Sequence, residues 1–169
     1  MNQISVINSE NASQEEVVKF KIRKAARAVV FDKDNNIAIL YVSKQKYHKL
    51  PGGGVEDGED IESALNRECI EEIGCNIEVF GEVGEIVEYR KMFNLKQISY
   101  CYLAKVVGNK GKPSFTDEEM KDGFKIKWLP LREALGVLKS DSPSNNEGKL
   151  YIVSRDKIFI ETAKIILSS

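Results

Sequence analysis

Three carboxylates, Glu68, Glu71 and Glu72, stand at positions i, i+3 and i+4 in the run Arg67-Glu68-Cys69-Ile70-Glu71-Glu72. If the run is helical, all three share one face. Like charges at that spacing destabilise an isolated helix by roughly 0.2–0.5 kcal/mol per pair. They also lie just before Gly74, at the negative end of the helix dipole, which favours cations. Two rules of local consistency are broken within five residues, and such breaks tend to mark functional sites. A hard divalent cation answers both: magnesium takes oxygen ligands and commonly joins one or two carboxylates to substrate phosphates. The plain alternative is a solvated acidic face. A glycine run, Leu50-Pro51-Gly52-Gly53-Gly54, ends fourteen residues before Glu68 and favours the site, because glycines let backbone approach a ligand closely.

The elements that must position these residues can be read around them. Asp60 is a good N-cap, Ile61 to Ile73 reads as helix, and Gly74 stops it. Leu65, Cys69 and Ile73 give that helix a buried stripe. Ala25-Arg27-Val29-Phe31 and Ile37-Ile39-Tyr41 alternate around Asp32-Lys33-Asp34-Asn35-Asn36, a β-hairpin pattern. Residues 76–89 and 97–107 predict a long hairpin, and Phe124-Ile126-Trp128 a further strand. Pro130 opens a short helix over 131–138, residues 141–148 form a loop, and a last helix covers about 156–167. Strands and helices interleave without regular βαβ alternation, so the expected class is α+β. Residues 1–22 read as a polar tail or accessory segment, and 23–169 as one domain with a C-terminal helix.

Composition narrows the partners. At 169 residues one domain is expected, large enough to bury roughly 70% of its extended-chain surface without staples. Lys and Arg total 25 against 26 Asp and Glu, so bulk charge points to neither nucleic acid nor membrane, and an anionic ligand needs a local site. Three cysteines without metal spacing and a single histidine argue against zinc; buried free thiols are expected. Met1 to Glu16 has no apolar leader core and no stretch is long and apolar enough to span a bilayer, so the cytoplasm is the expected location.

Residues 53–75 resemble the Nudix box, Gly-x5-Glu-x7-Arg-Glu-U-x-Glu-Glu-x-Gly-U, with U a bulky aliphatic residue. Gly53, Glu59, Arg67, Glu68, Glu71, Glu72 and Gly74 all fall at its spacing, and Cys69 and Cys75 replace the aliphatics at the U positions. The resemblance implies an α/β/α sandwich around a mixed β-sheet. It implies hydrolysis of a nucleoside diphosphate linked to another group, with Mg²⁺ (or Mn²⁺) as cofactor. Carried onto this chain, Glu68 and Glu72 are the first metal ligands, Glu71 a third ligand or near neighbour, and the Gly53 carbonyl a further one. Glu68 is the first choice of general base, with Glu119 of Asp117-Glu118-Glu119 as the alternative. Arg67 and Glu59 are expected to form an ion pair bracing the loop against the helix.

Outside the box the substrate is less marked. Lys44 could meet a phosphate, Tyr89 lies near the place where relatives acting on dinucleoside polyphosphates carry a tyrosine, and Trp128 could stack a base. A (deoxy)nucleoside triphosphate, oxidised forms included, is the default small-molecule substrate, with a sugar nucleotide or dinucleoside polyphosphate as alternatives. The rival from another class is a Nudix-like nucleotide sensor without turnover, which usually loses a box carboxylate; an isomerase on the same fold is a second rival. The polar tail and last helix offer surfaces for a homodimer.

Overall fold

The computed structural model describes all 169 residues. Its centre is strand β2 (Lys21–Phe31), and the alternation of side chains along it sorts the molecule into layers. Ala26, Ala28 and Val30 point to one face of the sheet, where they meet Ala64, Leu65, Cys69 and Ile73 of helix α2 (Ile61–Ile73). Val29 points to the other face, into a core with Leu135 and Leu138 of α4 (Leu131–Ser140) and Phe159, Ile160 and Ala163 of α5 (Val153–Leu167). A mixed sheet therefore lies between one helix and a pair of helices, the α+β sandwich expected from the chain.

One edge of β2 runs parallel to β7 (Leu95–Val107) over its whole length, Lys21 opposite Leu95 and Phe31 opposite Lys105. β7 is the return arm of the long antiparallel hairpin begun by β6 (Asn76–Arg90). The other edge of β2 divides. At its middle Ala25–Arg27 pair with β5 (Gly52–Gly54), and at its end Phe31 pairs with Ile37 of β3 (Asn36–Val42). β3 also carries β4 (Tyr47–Lys49) and β8 (Phe124–Pro130), so the sheet parts where the glycine run enters it.

Helix α2 has the limits its local signals predict. Asp60 accepts the Ser63 N–H at 2.7 Å, and Gly74 ends the helix in the left-handed region. Residues 1–22 add β1 (Gln3–Ile7), which pairs parallel to the outer edge of β6, and α1 (Gln14–Val17), closed by a Ser13/Glu16 capping box. Thr116 and Glu119 form the same box on α3 (Asp117–Lys121), a short helix in addition to those expected from the chain. The last helix starts earlier than residue 156: a π-type stretch, Gly148–Ile152, leads into α5 because Tyr151 is already fully buried there. No helix is long and apolar enough to cross a membrane.

Candidate active site

The glycine run and α2 touch only because side chains are missing between them. Gly52 has φ +128°, and a Cβ there would stand 2.1 Å from the Ala26 carbonyl oxygen. A Cβ on Gly53 would stand 2.1 Å from Glu68 Oε1. The Gly52 N–H donates to Glu72 Oε2 at 2.7 Å, and Lys49 Nζ lies 2.6 Å from Glu72 Oε1. Two box carboxylates are thus held against the backbone of β5, one by close approach and one by hydrogen bonding.

Arg67 ties the loop to the helix. Its Nε and Nη2 each donate to a different oxygen of Glu59 at 3.0 Å, a two-pronged pair, and Nη2 also donates to the Gly54 carbonyl at 3.0 Å. Its Nη1 reaches Glu68 Oε1 at 2.9 Å and Glu71 Oε2 at 3.4 Å. The guanidinium holds the Glu59 carboxyl below the usual carboxylate range. Burial, in contrast, pushes Glu72 above that range, although Lys49 and the Gly52 N–H pull it down. In this structure two protein cations stand against the acidic face: Arg67 serves Glu59, Glu68 and Glu71, and Lys49 serves Glu72.

With the carboxylates turned to these cations, no three acidic, histidine or cysteine side chains converge at coordination distance. The donor set nonetheless fits a hard divalent ion. Glu68, Glu71, Glu72 and the glycine carbonyls offer only oxygens, the ligands Mg²⁺ takes, and bare Gly53 leaves room beside Glu68 that any side chain would fill.

A second polar cluster lies on the α5 face of the sheet. Glu88, with no exposed surface, accepts from Arg90 Nη2 (2.9 Å), Gln97 Nε2 (2.7 Å) and Ser99 Oγ (3.2 Å). Arg155 Nη1 stands 3.6 Å from the same carboxylate, and Arg155 Nε donates to Asp156 Oδ1 at 2.7 Å. The other oxygen of Asp156 accepts the Leu50 N–H at 2.8 Å, so α5 grips the chain two residues before the glycines. Arg27 is buried beside this cluster, and burial and the neighbouring Arg155 push its pKa down to about 10. Arg23 extends the row, donating to Gln97 Oε1 at 3.1 Å.

Residues 21–149 match the family description NUDIX domain. The chain belongs to the Nudix family. Over 128 residues it is 27% identical to a diphosphoinositol polyphosphate phosphohydrolase 2 of Rattus norvegicus, covering 74% of this chain and 68% of the relative. Over 42 residues it is 50% identical to an RNA pyrophosphohydrolase of Sulfurovum sp. (strain NBC37-1), a match that spans 24% of this chain and only 27% of that protein. The fold resembles the MutT protein from Methanosarcina mazei Go1, with a TM-score of 0.61 at 16% identity over 88% of this chain and 97% of the other. It also resembles a MutT Nudix hydrolase from Burkholderia pseudomallei, with a TM-score of 0.60 at 19% identity over 84% and 98%.

The Nudix box gathers Gly53, Glu59, Arg67, Glu68, Glu71 and Glu72 in one place, and four other residues singled out in the sequence stand apart from it. Lys44 pairs with Asp122 at 3.4 Å on the surface. Glu119 uses its carboxylate to cap α3, accepting the Thr116 N–H at 2.8 Å, and makes no hydrogen bond or ion pair with the box. Trp128 pairs with Ala38 near the start of β3, packs on the α2-side core and carries Lys110 Nζ 3.7 Å from its ring centre. The β8 aromatic beside the box lysine is Phe124, because β8 runs away from the glycine run as it proceeds. Tyr89 lies near the hairpin tip, its carbonyl accepting from the Tyr151 hydroxyl at 3.0 Å.

Lys49 and Asp156 are the residues the sequence reading passes over. A lysine inside the approach Lys49-Leu50-Pro51-Gly52 was the available signal for the first; Asp156 carried none, being 106 residues from its partner.

Proposed function

We propose that this Nudix protein is a Mg²⁺-dependent hydrolase of a phosphoanhydride bond in a nucleoside diphosphate linked to another group, with a (deoxy)nucleoside triphosphate as substrate. The observation that carries the reading is the pairing of Glu68 and Glu72 against the bare backbone of Gly52 and Gly53, buttressed by the two-pronged Arg67–Glu59 pair. Glu68, Glu72 and the Gly53 carbonyl would hold the ion, with Glu71, the most exposed of the three, as the further ligand. When bound, the divalent ion supplies charge neutralisation at the phosphate oxygens and a lowered pKa for water.

The chain's own residues supply orientation and proton transfer. Glu68 is the general base, placed by Arg67 Nη1 on one oxygen and by Gly53 at its flank. Arg67 acts through Glu68 and Glu59, as a positioning residue. Asp156 fixes Leu50 and thereby the approach of the glycine run. Arg23, exposed on β2 with its guanidinium over Gly54 of β5, offers donors for the anionic or polar remainder of the substrate. The reaction takes place on a small molecule at one protomer's box.

The test is Mg²⁺-dependent release of phosphate or pyrophosphate from ordinary and oxidised nucleoside triphosphates, sugar nucleotides, dinucleoside polyphosphates, 5′-triphosphorylated RNA and diphosphoinositol phosphates. Turnover of a nucleoside triphosphate is expected, with a loss of about 100-fold or more in Glu72→Gln. Preference for one of the other classes would move the substrate assignment. Binding without turnover across the whole panel would overturn the hydrolase reading in favour of a sensor.

A further inference from the structure

Lys49 stands where a cation of the site would stand. Its Nζ lies 2.6 Å from Glu72 Oε1 and 3.4 Å from the Gly52 carbonyl oxygen, with the Phe124 ring centre 5.1 Å away on another side. Strand pairing brings it there: Lys49 sits opposite Leu40 at the end of β4, and the next residue is pinned by Asp156. The Glu72 side chain is 1% exposed and that of Lys49 12%, so the carboxylate is sealed while the ammonium keeps a path to water. Without Lys49, Glu72 would be a buried carboxylate with the Gly52 N–H as its one remaining partner. A buried charge left so poorly paired is costly.

We propose that Lys49 is a built-in place-holder for the divalent ion: it keeps Glu72 in position while the site is metal-free and must leave that carboxylate when the ion binds. The proposal rests on the metal-dependent reading of the box. A lysine suits the task. Its ammonium is a compact point charge on a flexible four-carbon stem, able to withdraw toward solvent, whereas an arginine fork would bind the carboxylate with both prongs. The place-holder has two opposite effects. It stabilises the metal-free fold by pairing Glu72, and it weakens apparent metal affinity because the ion must displace a like charge. Displaced, the ammonium lies at the rim of the box, available to an anionic substrate.

The experiment compares the wild-type chain with Lys49→Met, which keeps the apolar stem and loses the charge. Thermal melting is measured without metal, and Mg²⁺ is titrated calorimetrically in the absence of any nucleotide. Lys49→Met is expected to melt below the wild type without metal, to bind Mg²⁺ roughly tenfold more tightly, and so to gain more stability from saturating Mg²⁺. Affinity equal to or weaker than wild type, beside a lowered metal-free melting point, would show Lys49 to be a structural partner only and overturn the proposal. A second measurement uses the wild type alone, in case the variant does not fold: the ¹⁵N-detected Lys49 ammonium resonance, slowed in exchange by Glu72, should lose that protection on Mg²⁺ addition. An unchanged resonance at saturating Mg²⁺ overturns the place-holder while leaving the metal reading intact. No Mg²⁺ binding by either protein overturns both.

Discussion

Glu72 and Glu88 are both carboxylates with almost no exposed surface, one on each side of the sheet, yet their environments oppose each other. For Glu72 burial outweighs Lys49 and the Gly52 N–H, and its pKa is raised. For Glu88 burial is again the largest single effect, but the charges of Arg155 and Arg90 and the Arg90 hydrogen bond together outweigh it, and its pKa is lowered. One ammonium and one amide leave a buried carboxylate underserved; two guanidiniums, an amide side chain and a hydroxyl satisfy it. The α5 face surrounds its carboxylate with more donors than it can use, leaving Arg27 Nε, Arg90 Nε and Arg155 Nη1 without hydrogen-bond partners. The box, with four carboxylates to Arg67 and Lys49, instead retains an unmet demand for positive charge, which is what a cation-binding site needs before its ion arrives.

The strongest way to break that comparison is to remove a carboxylate from each face. Glu88→Ala, which takes a buried carboxylate from Arg90 and Arg155 and leaves them only Glu147 and Asp156, should lower folding stability by about 3–5 kcal/mol in urea unfolding. Glu71→Ala on the half-exposed side of the box should cost under about 1 kcal/mol. Equal losses in the two variants would erase the distinction between a sealed network and an open site. Next in size is Arg67→Lys, which keeps the charge but loses the fork that holds Glu59, Glu68 and the Gly54 carbonyl. Apparent Mg²⁺ affinity should fall about tenfold with little change in the urea midpoint, and an unchanged titration would show that the brace does not position the ligands.

The smallest effect is on the pH dependence of the metal-free fold, and the two carboxylates should contribute with opposite sign. Glu72 has a raised folded pKa, so folded protein holds a proton that the unfolded chain has lost above about pH 4.3. Its contribution is present below that pH and is lost as pH rises through the folded value. Glu88 has a lowered folded pKa, so its contribution is present above about pH 4.3 and is lost as pH falls through the folded value. Urea midpoints across the acid range should therefore show less acid loss in Glu88→Gln and less decline toward neutrality in Glu72→Gln. Profiles parallel to wild type in both variants would sink the assignment of opposite roles.

The two faces also differ in how far they could be read from the chain. Helix α2 was legible because its cap, its stripe and its stop lie within fifteen residues, from Asp60 to Gly74, and the Arg67–Glu59 brace is a contact over eight positions. The α5 cluster draws on β2, β6, β7 and α5, with Arg23 and Gln97 74 residues apart, and no local pattern announces such a meeting. Lys44 and Lys49 show the same limit at short range. Both lie near the glycine run, and only the register of β3 with β4 sends Lys49 to the carboxylate while Lys44 turns to Asp122. Trp128 was misplaced for a related reason: alternation reveals which face a strand residue takes, but the direction of β8 along β3 decides that Phe124 lies nearer the box. By contrast, α3 and its Thr116/Glu119 capping box were available in the spacing.

The bond from the Leu50 amide to Asp156 joins residues made far apart in time as well as in sequence. During synthesis the entire box emerges from the ribosome about eighty residues before the carboxylate that anchors its approach, at roughly 5–20 residues per second. For several seconds a nascent chain would hold every box residue without that anchor. The anchoring of the glycine run in this protein is thus tied to arrival of its last helix, and a chain broken off before Asp156 would carry the motif without that grip.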